Sequence, residues 1–120
     1  MRNMSFSMTT EQIRSGTKTV TRRLGWKFLK PGDVVMACEK CQGLKKDEKV
    51  KKIRPICIAG VRKERLADGI FHGGTDEVAK EGFPGMGTMT FILLFCKANK
   101  CNPDAEITRI EFEYEEEPRS

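Results

Sequence analysis

The residues Gly16-Thr17-Lys18-Thr19-Val20-Thr21-Arg22-Arg23 set three cations and three hydroxyls in eight positions, straight after a glycine able to stop a helix. Lysine and arginine bring donors only, whereas a threonine hydroxyl both donates and accepts. Such a strip suits a ligand rich in oxygens: a phosphate, a carbonyl or the edge of a nucleobase. It also reads as a solvated strand of β-formers, and the flanking sequence has to decide between the two.

Other groups with chemistry of their own are few. The five cysteines are an odd number, which argues against a closed disulfide framework. Cys38 and Cys41 have CxxC spacing, but a structural zinc site takes two such pairs, and Cys96 and Cys101 stand too far apart to be the second. Free thiols, no metal and no cofactor are the expectation. The one histidine, His72, falls in a glycine-rich stretch and reads as solvated.

The elements that must position the strip follow from periodicity. Met4 to Met8 alternates apolar and small polar residues, as a half-buried strand does. Thr9 and Gln12 have capping-box spacing for a short helix over Thr10–Ser15, with Ile13 inward and Gly16 as its left-handed stop. Lys18–Arg23 then reads as a strand. Trp26, Phe28 and Leu29 are apolar anchors before a Lys30-Pro31-Gly32-Asp33 turn, and Asp33–Cys38 is a mostly buried strand. Lys45 to Lys52 holds five lysines against two acids, a basic loop by composition. Ile53–Leu66 is a long strand in which Ile56 and Ile58 share a face and Pro55 marks an edge or a start. Leu66 to Gly87 reads as a glycine-rich loop with a helical piece over Asp76–Glu81. Thr88–Lys97 fits a helix, capped by Thr88, with Phe91, Leu94 and Phe95 on one face. Ile107–Tyr114 alternates cleanly, with Ile110, Phe112 and Tyr114 together. About five strands with short helices between them make a small α+β domain on a partly closed β-barrel.

The 120 residues are read as one domain over 1–114 and an acidic tail over 115–120. No apolar run approaches the ~20 residues of a membrane span, and the first residues lead into alternation rather than an apolar block. A cytoplasmic protein is expected. Net charge is +5; the last ten residues sum to −4, which leaves +9 on the rest. A basic body of this kind fits a polyanion, of which nucleic acid is the usual one, although lysines also serve solubility alone.

The strip, together with Leu29-Lys30-Pro31-Gly32-Asp33, Glu77-Val78-Ala79-Lys80-Glu81-Gly82-Phe83 and Thr108-Arg109-Ile110-Glu111-Phe112, resembles the ASCH domain family, in particular its short stand-alone members. The resemblance runs from Ser5 to Tyr114. It implies a PUA-like β-barrel with a cleft for RNA or a modified nucleoside. In members similar to the bacterial N4-acetylcytidine amidohydrolase, a lysine and a threonine of the first motif and a later glutamate do the catalysis; by position these are Lys18, Thr21 and Glu81. Other relatives are described as ribonucleases, and their active residues do not map cleanly onto this chain. The basic loop and the cysteine-bearing strand are additions to the minimal amidohydrolase pattern.

Two functions follow as expectations. In the first, the cleft binds RNA, a nucleoside or a nucleotide through Lys18, Thr19, Thr21, Arg22 and Arg23 without turnover. In the second, Thr21 attacks an N-acylated cytidine, Lys18 takes its proton and Glu81 serves as acid and base. A third, RNA cleavage, ranks behind both. Lys18 must be desolvated or crowded by cations to act near neutral pH, and Arg22 and Arg23 are the candidates for the crowding. An ideal strand points Lys18 and Thr21 to opposite faces, so their convergence needs a turn at Lys18 or a bulge, for which Gly16 leaves room.

Overall fold

The computed structural model describes residues 1–41 and 43–115; of the acidic tail expected at 115–120, all but Glu115 lies outside them. In chain order the elements are β1 (Arg2–Ser5), α1 (Thr10–Ser15), β2 (Val20–Arg23), β3 (Val34–Cys38), β4 (Lys52–Arg65), α2 (Leu66–Lys80), α3 (Thr88–Asn99) and β5 (Glu106–Tyr114). The strands form one curled sheet in the order β1-β3-β4-β5-β2, parallel at β1–β3 and antiparallel elsewhere. β1 and β2 are its two edges, so the expected partly closed barrel is a half-barrel. A side chain ties the edges where a ladder would: Arg23 Nη2 donates to the Ser5 carbonyl at 2.6 Å.

β4 is the seam of the sheet. Lys52 to Cys57 pairs with β3, Ile56 to Arg65 pairs with β5, and the register shifts between Ile58 and Gly60. Pro55 sits opposite Met36, just before the β5 ladder begins, so at that point β4 has a neighbour on one side only. The missing N–H of proline is tolerated at such a place.

Two apolar clusters flank the sheet. Met4, Phe6, Ile13, Ile56, Ile58, Ile110 and Phe112 form one under α1, and Leu66, Ile70, Val78, Phe91, Ile92, Phe95 and Ile107 form the other under α2 and α3. β5 contributes to both. Among the described residues no helix is long and apolar enough to cross a membrane.

Local structure departs from expectation at several places. α1 spans Thr10–Ser15 and closes at Gly16 with φ 80°, but Thr9 forms no side-chain cap. Instead the Thr10 hydroxyl donates to the Phe6 carbonyl, and the Gln12 amide reaches across to Gly82. β1 ends at Ser5 and leaves Met8 exposed, while β2 starts at Val20 rather than Lys18. Phe28 is not a core anchor: it is exposed, with the Arg2 guanidinium over its ring at 4.4 Å. The largest correction is the stretch after Leu66, which is helix rather than loop, broken only at Gly74 (φ 68°, ψ −157°). His72 therefore stands exposed on a helix. α3 forms as expected with Phe91 and Phe95 buried, though Gly87 and not Thr88 is its N-cap.

Candidate functional site

Lys18 stands two residues before β2, where strand alternation does not apply. The backbone there is held from three directions. The N–H groups of Thr17 and Lys18 donate to the Gln12 carbonyl, Thr19 N–H donates to the Lys80 carbonyl, and the Thr19 carbonyl accepts from Phe112. The Tyr114 hydroxyl donates to the Lys18 carbonyl from β5. Held this way, Lys18 lines the same cleft as Thr21, which removes the difficulty an ideal strand would pose.

The Lys18 side chain is buried against Glu81, the residue that closes α2. Nζ lies 3.1 Å from Glu81 Oε1 and also donates to the Glu81 main-chain carbonyl. The other carboxylate oxygen, Oε2, accepts from Arg22 Nη1 at 2.8 Å. Arg22 spends its remaining nitrogens on two more carboxylates, Nε on Glu64 at 2.8 Å and Nη2 on Glu77 at 2.5 Å. Glu77 in turn is gripped by Arg109, Nε at 2.5 Å and Nη2 at 3.3 Å. One guanidinium thus binds together β2, β4 and α2, and all its donor nitrogens are occupied.

These contacts set the ionisation of the site. Burial pushes the Lys18 ammonium below its ordinary value, against the pull of Glu81, and the nearby Arg23 and Arg22 charges push the same way as burial. The crowding expected of those two arginines ranks behind both burial and the opposing pull of Glu81. Burial alone would raise the Glu77 carboxyl, but the hydrogen bonds from Arg109 and Arg22 outweigh it and hold it at about 2.

The cleft encloses about 260 Å³. Its polar end is lined by Lys18, Thr21, Arg22, Arg23 and Glu81; the turn from Ser5 to Thr9 and an aromatic wall of Phe83 with Phe91, Leu94 and Phe95 of α3 complete the lining. Arg23 lies along the wall with its guanidinium 4.7 Å from the Phe6 ring centre, and Nε donates to the Thr21 hydroxyl at 3.1 Å. Burial lowers the Arg23 guanidinium to about 10, so it remains charged at neutral pH. Thr19 does not line the cleft, and its main chain serves instead to seat the strip. Among the described residues no group of three or more His, Cys, Asp and Glu side chains is placed to hold a metal ion.

Several residues at the site were not singled out by sequence reasoning. Glu64 carries no signal of its own in the sequence, and Phe91 and Phe95 read only as one face of a helix. Glu77 and Arg109 do lie inside motifs that carry the family resemblance, and that was the one signal available for them.

No sequence-family model matches this chain, and no curated protein matches it. Its course does match the high-resolution crystal structure of an ASCH domain from Lactobacillus crispatus JV V101. The TM-score is 0.60 at 16% identity, over 94% of this chain and 78% of the other. At that identity the likeness speaks for the fold, and with the curled mixed sheet and its three helices it makes this protein a small α+β domain with the PUA-like fold of ASCH domains.

Proposed function

We propose that the cleft binds a nucleoside unit, either free or within RNA. The observation that carries this reading is the pairing of a cation–hydroxyl end (Lys18, Thr21, Arg23) with an aromatic wall (Phe83, Phe91, Phe95) in the lining of one cleft. Nucleobases stack on aromatic side chains and offer acceptors at their edges, which is how single-stranded nucleic acid and nucleosides are held. The ASCH-type fold supports an RNA-related ligand, since that family is linked to RNA binding. If a strand of RNA is the partner, affinity falls with salt at a slope of ~0.7 per phosphate neutralised. Calorimetric titration with nucleosides and with short single-stranded RNA tests this; no binding by any of them refutes it.

A second reading, hydrolysis of an N4-acylated cytidine, is favoured by the contact of Lys18 with Glu81 beside Thr21. The Thr21 hydroxyl oxygen attacks the acyl carbon while Lys18, its proton affinity lowered by burial, takes the hydroxyl proton. Arg23 Nε, already on the Thr21 oxygen, orients that oxygen for attack. Collapse of the tetrahedral intermediate breaks the C–N bond, and Glu81 relays the Lys18 proton to the departing amine. Water then cleaves the acyl-threonine ester, giving up its proton by way of Lys18 to Thr21 and releasing a carboxylic acid. In this scheme Arg22 touches no substrate and positions Glu81. The test is release of cytidine from N4-acetylcytidine, followed by chromatography. Lys18→Ala, Thr21→Val and Glu81→Gln should each lower the rate by about 10²–10⁴-fold; undiminished turnover in Lys18→Ala with Glu81→Gln defeats the assignment.

A further inference from the structure

Three cations line the polar end of the cleft, Lys18, Arg22 and Arg23, and a fourth, Arg109, stands behind them on Glu77; all but Arg23 make ion pairs with carboxylates. Lys18 meets Glu81, Arg22 meets Glu64, Glu77 and Glu81, and Arg109 meets Glu77. Glu64 and Glu77 also meet Arg62 and Lys80, respectively, and Arg109 also meets Glu111. Arg23 differs: among the described residues it makes no ion pair, and the Glu81 charge reaches it only from beyond contact distance. Its two hydrogen bonds go to neutral oxygens, the Thr21 hydroxyl and the Ser5 carbonyl, and its flat face lies on Phe6. Those contacts fix the plane of the guanidinium while Nη1 has no protein acceptor among the described residues. A charge held rigidly in a half-apolar wall with no counter-ion in contact is unfavourable in the empty protein.

We propose that the ligand supplies the anionic partner that Arg23 lacks, and that the cleft takes a phosphate-bearing nucleotide whose phosphate sits on Arg23. This rests on the nucleoside-binding reading above and narrows it. Arginine suits the task, because its fork donates to phosphate oxygens in a fixed plane. Neither neighbour can substitute: Arg22 has every donor nitrogen on a carboxylate, and Lys18 is already committed to Glu81. The base stacks toward Phe83, Phe91 and Phe95 while the phosphate meets Arg23 at the polar end.

Calorimetry on the full chain at low salt tests it, with the common ribonucleosides and N4-acetylcytidine each titrated against its 5′- and 3′-monophosphate. For at least one pair the monophosphate should bind more tightly by on the order of tenfold, the scale of a charge-assisted hydrogen bond. In Arg23→Gln the two affinities should converge, and in Arg23→Lys most of the difference should persist. Because Arg23 also ties the sheet edges, the wild-type protein supplies a second readout: inorganic phosphate should compete with the monophosphate and leave nucleoside binding unchanged. Equal affinity for nucleoside and monophosphate in the wild type overturns the proposal and leaves the nucleoside cleft standing. No binding by any probe brings down both. A pentanucleotide that binds still more tightly than the monophosphate identifies the phosphate as that of RNA; equal binding identifies a free nucleotide.

Discussion

A methyl group placed on Gly69 would stand 2.4 Å from the carboxyl carbon of Glu64. One turn further along α2, the same addition at Gly73 would meet Cβ of Glu77 at 2.7 Å. The two glycines give up side chains on the face of the helix where two carboxylates serving Arg22 need space.

Gly69→Ala should therefore affect the site more than the fold. Alanine favours the helix by about 1 kcal/mol, whereas Glu64, at the end of a flexible side chain, must swing off Arg22 Nε and lose a charged hydrogen bond of about 1.5–3 kcal/mol. Melting temperature should move by only a few degrees while ligand affinity drops several-fold. Unchanged affinity in a folded Gly69→Ala protein would mean that Arg22 holds Glu81 without help from Glu64.

Glu77 makes the fold sensitive to acid. Its carboxyl titrates at about 2 in the folded chain against an ordinary 4.5, so the folded state binds fewer protons than the unfolded one between those values. The stability it contributes is complete above pH ~4.5 and is lost as pH falls through ~2, an amount of about 3 kcal/mol. Glu77→Gln should cost at least that much at pH 7, with the difference from wild type shrinking in urea melts taken toward pH 2. A gap of constant size across that range would show that Glu77 is not held as a charged carboxylate.

Tyr114→Phe removes the hydroxyl that donates to the Lys18 carbonyl and leaves the ring against Phe112 and Arg54. About 1 kcal/mol of stability should go with that hydrogen bond. The larger effect should be on the cleft, since Lys18 precedes the strand and depends on such tethers. Weakened nucleoside binding with a small change in melting temperature is the expected pattern in paired calorimetric and thermal measurements.

Thr108 offers a test in the opposite direction. Its hydroxyl is buried in β5 with no hydrogen-bond partner among the described residues. Thr108→Val keeps the shape and removes the orphaned group, which should stabilise the fold by about 1 kcal/mol or more and raise the melting temperature by roughly 4 °C. A lower melting temperature would indicate that the hydroxyl has a partner after all.

How much of this was legible depended on how local each signal was. α1 and β5 declared themselves, the first through Gly16 in the left-handed region and the second through the alternation of Ile110, Phe112 and Tyr114. α2 did not, because Gly69, Gly73 and Gly74 have the composition of a loop. What calls for glycine at the first two is the room they leave for glutamates, and that appears only in the packed structure. At the site, the nearness of Lys18, Thr21 and Glu81 was suggested by family resemblance, not by pattern. The carboxylates around Arg22 lie 42, 55 and 59 residues away from it, and no periodicity encodes such partners. The aromatic wall was hidden differently: Phe91 and Phe95 follow the helical spacing of any buried face, and nothing local says that the face borders a cavity.

The sheet order also bears on how the protein is made. β2 has one neighbour, β5, and Tyr114 reaches back 96 positions to fasten Lys18. At a synthesis rate of ~5–20 residues per second, the basic strip emerges on the order of ten seconds before the strand that seats it. Through that interval it has no strand to pair with and no finished cleft, and Glu64, Glu77 and Glu81, which emerge before β5, are the anions nearest at hand. Selectivity arrives late, when β5 docks and turns an indiscriminate charge into a shaped one.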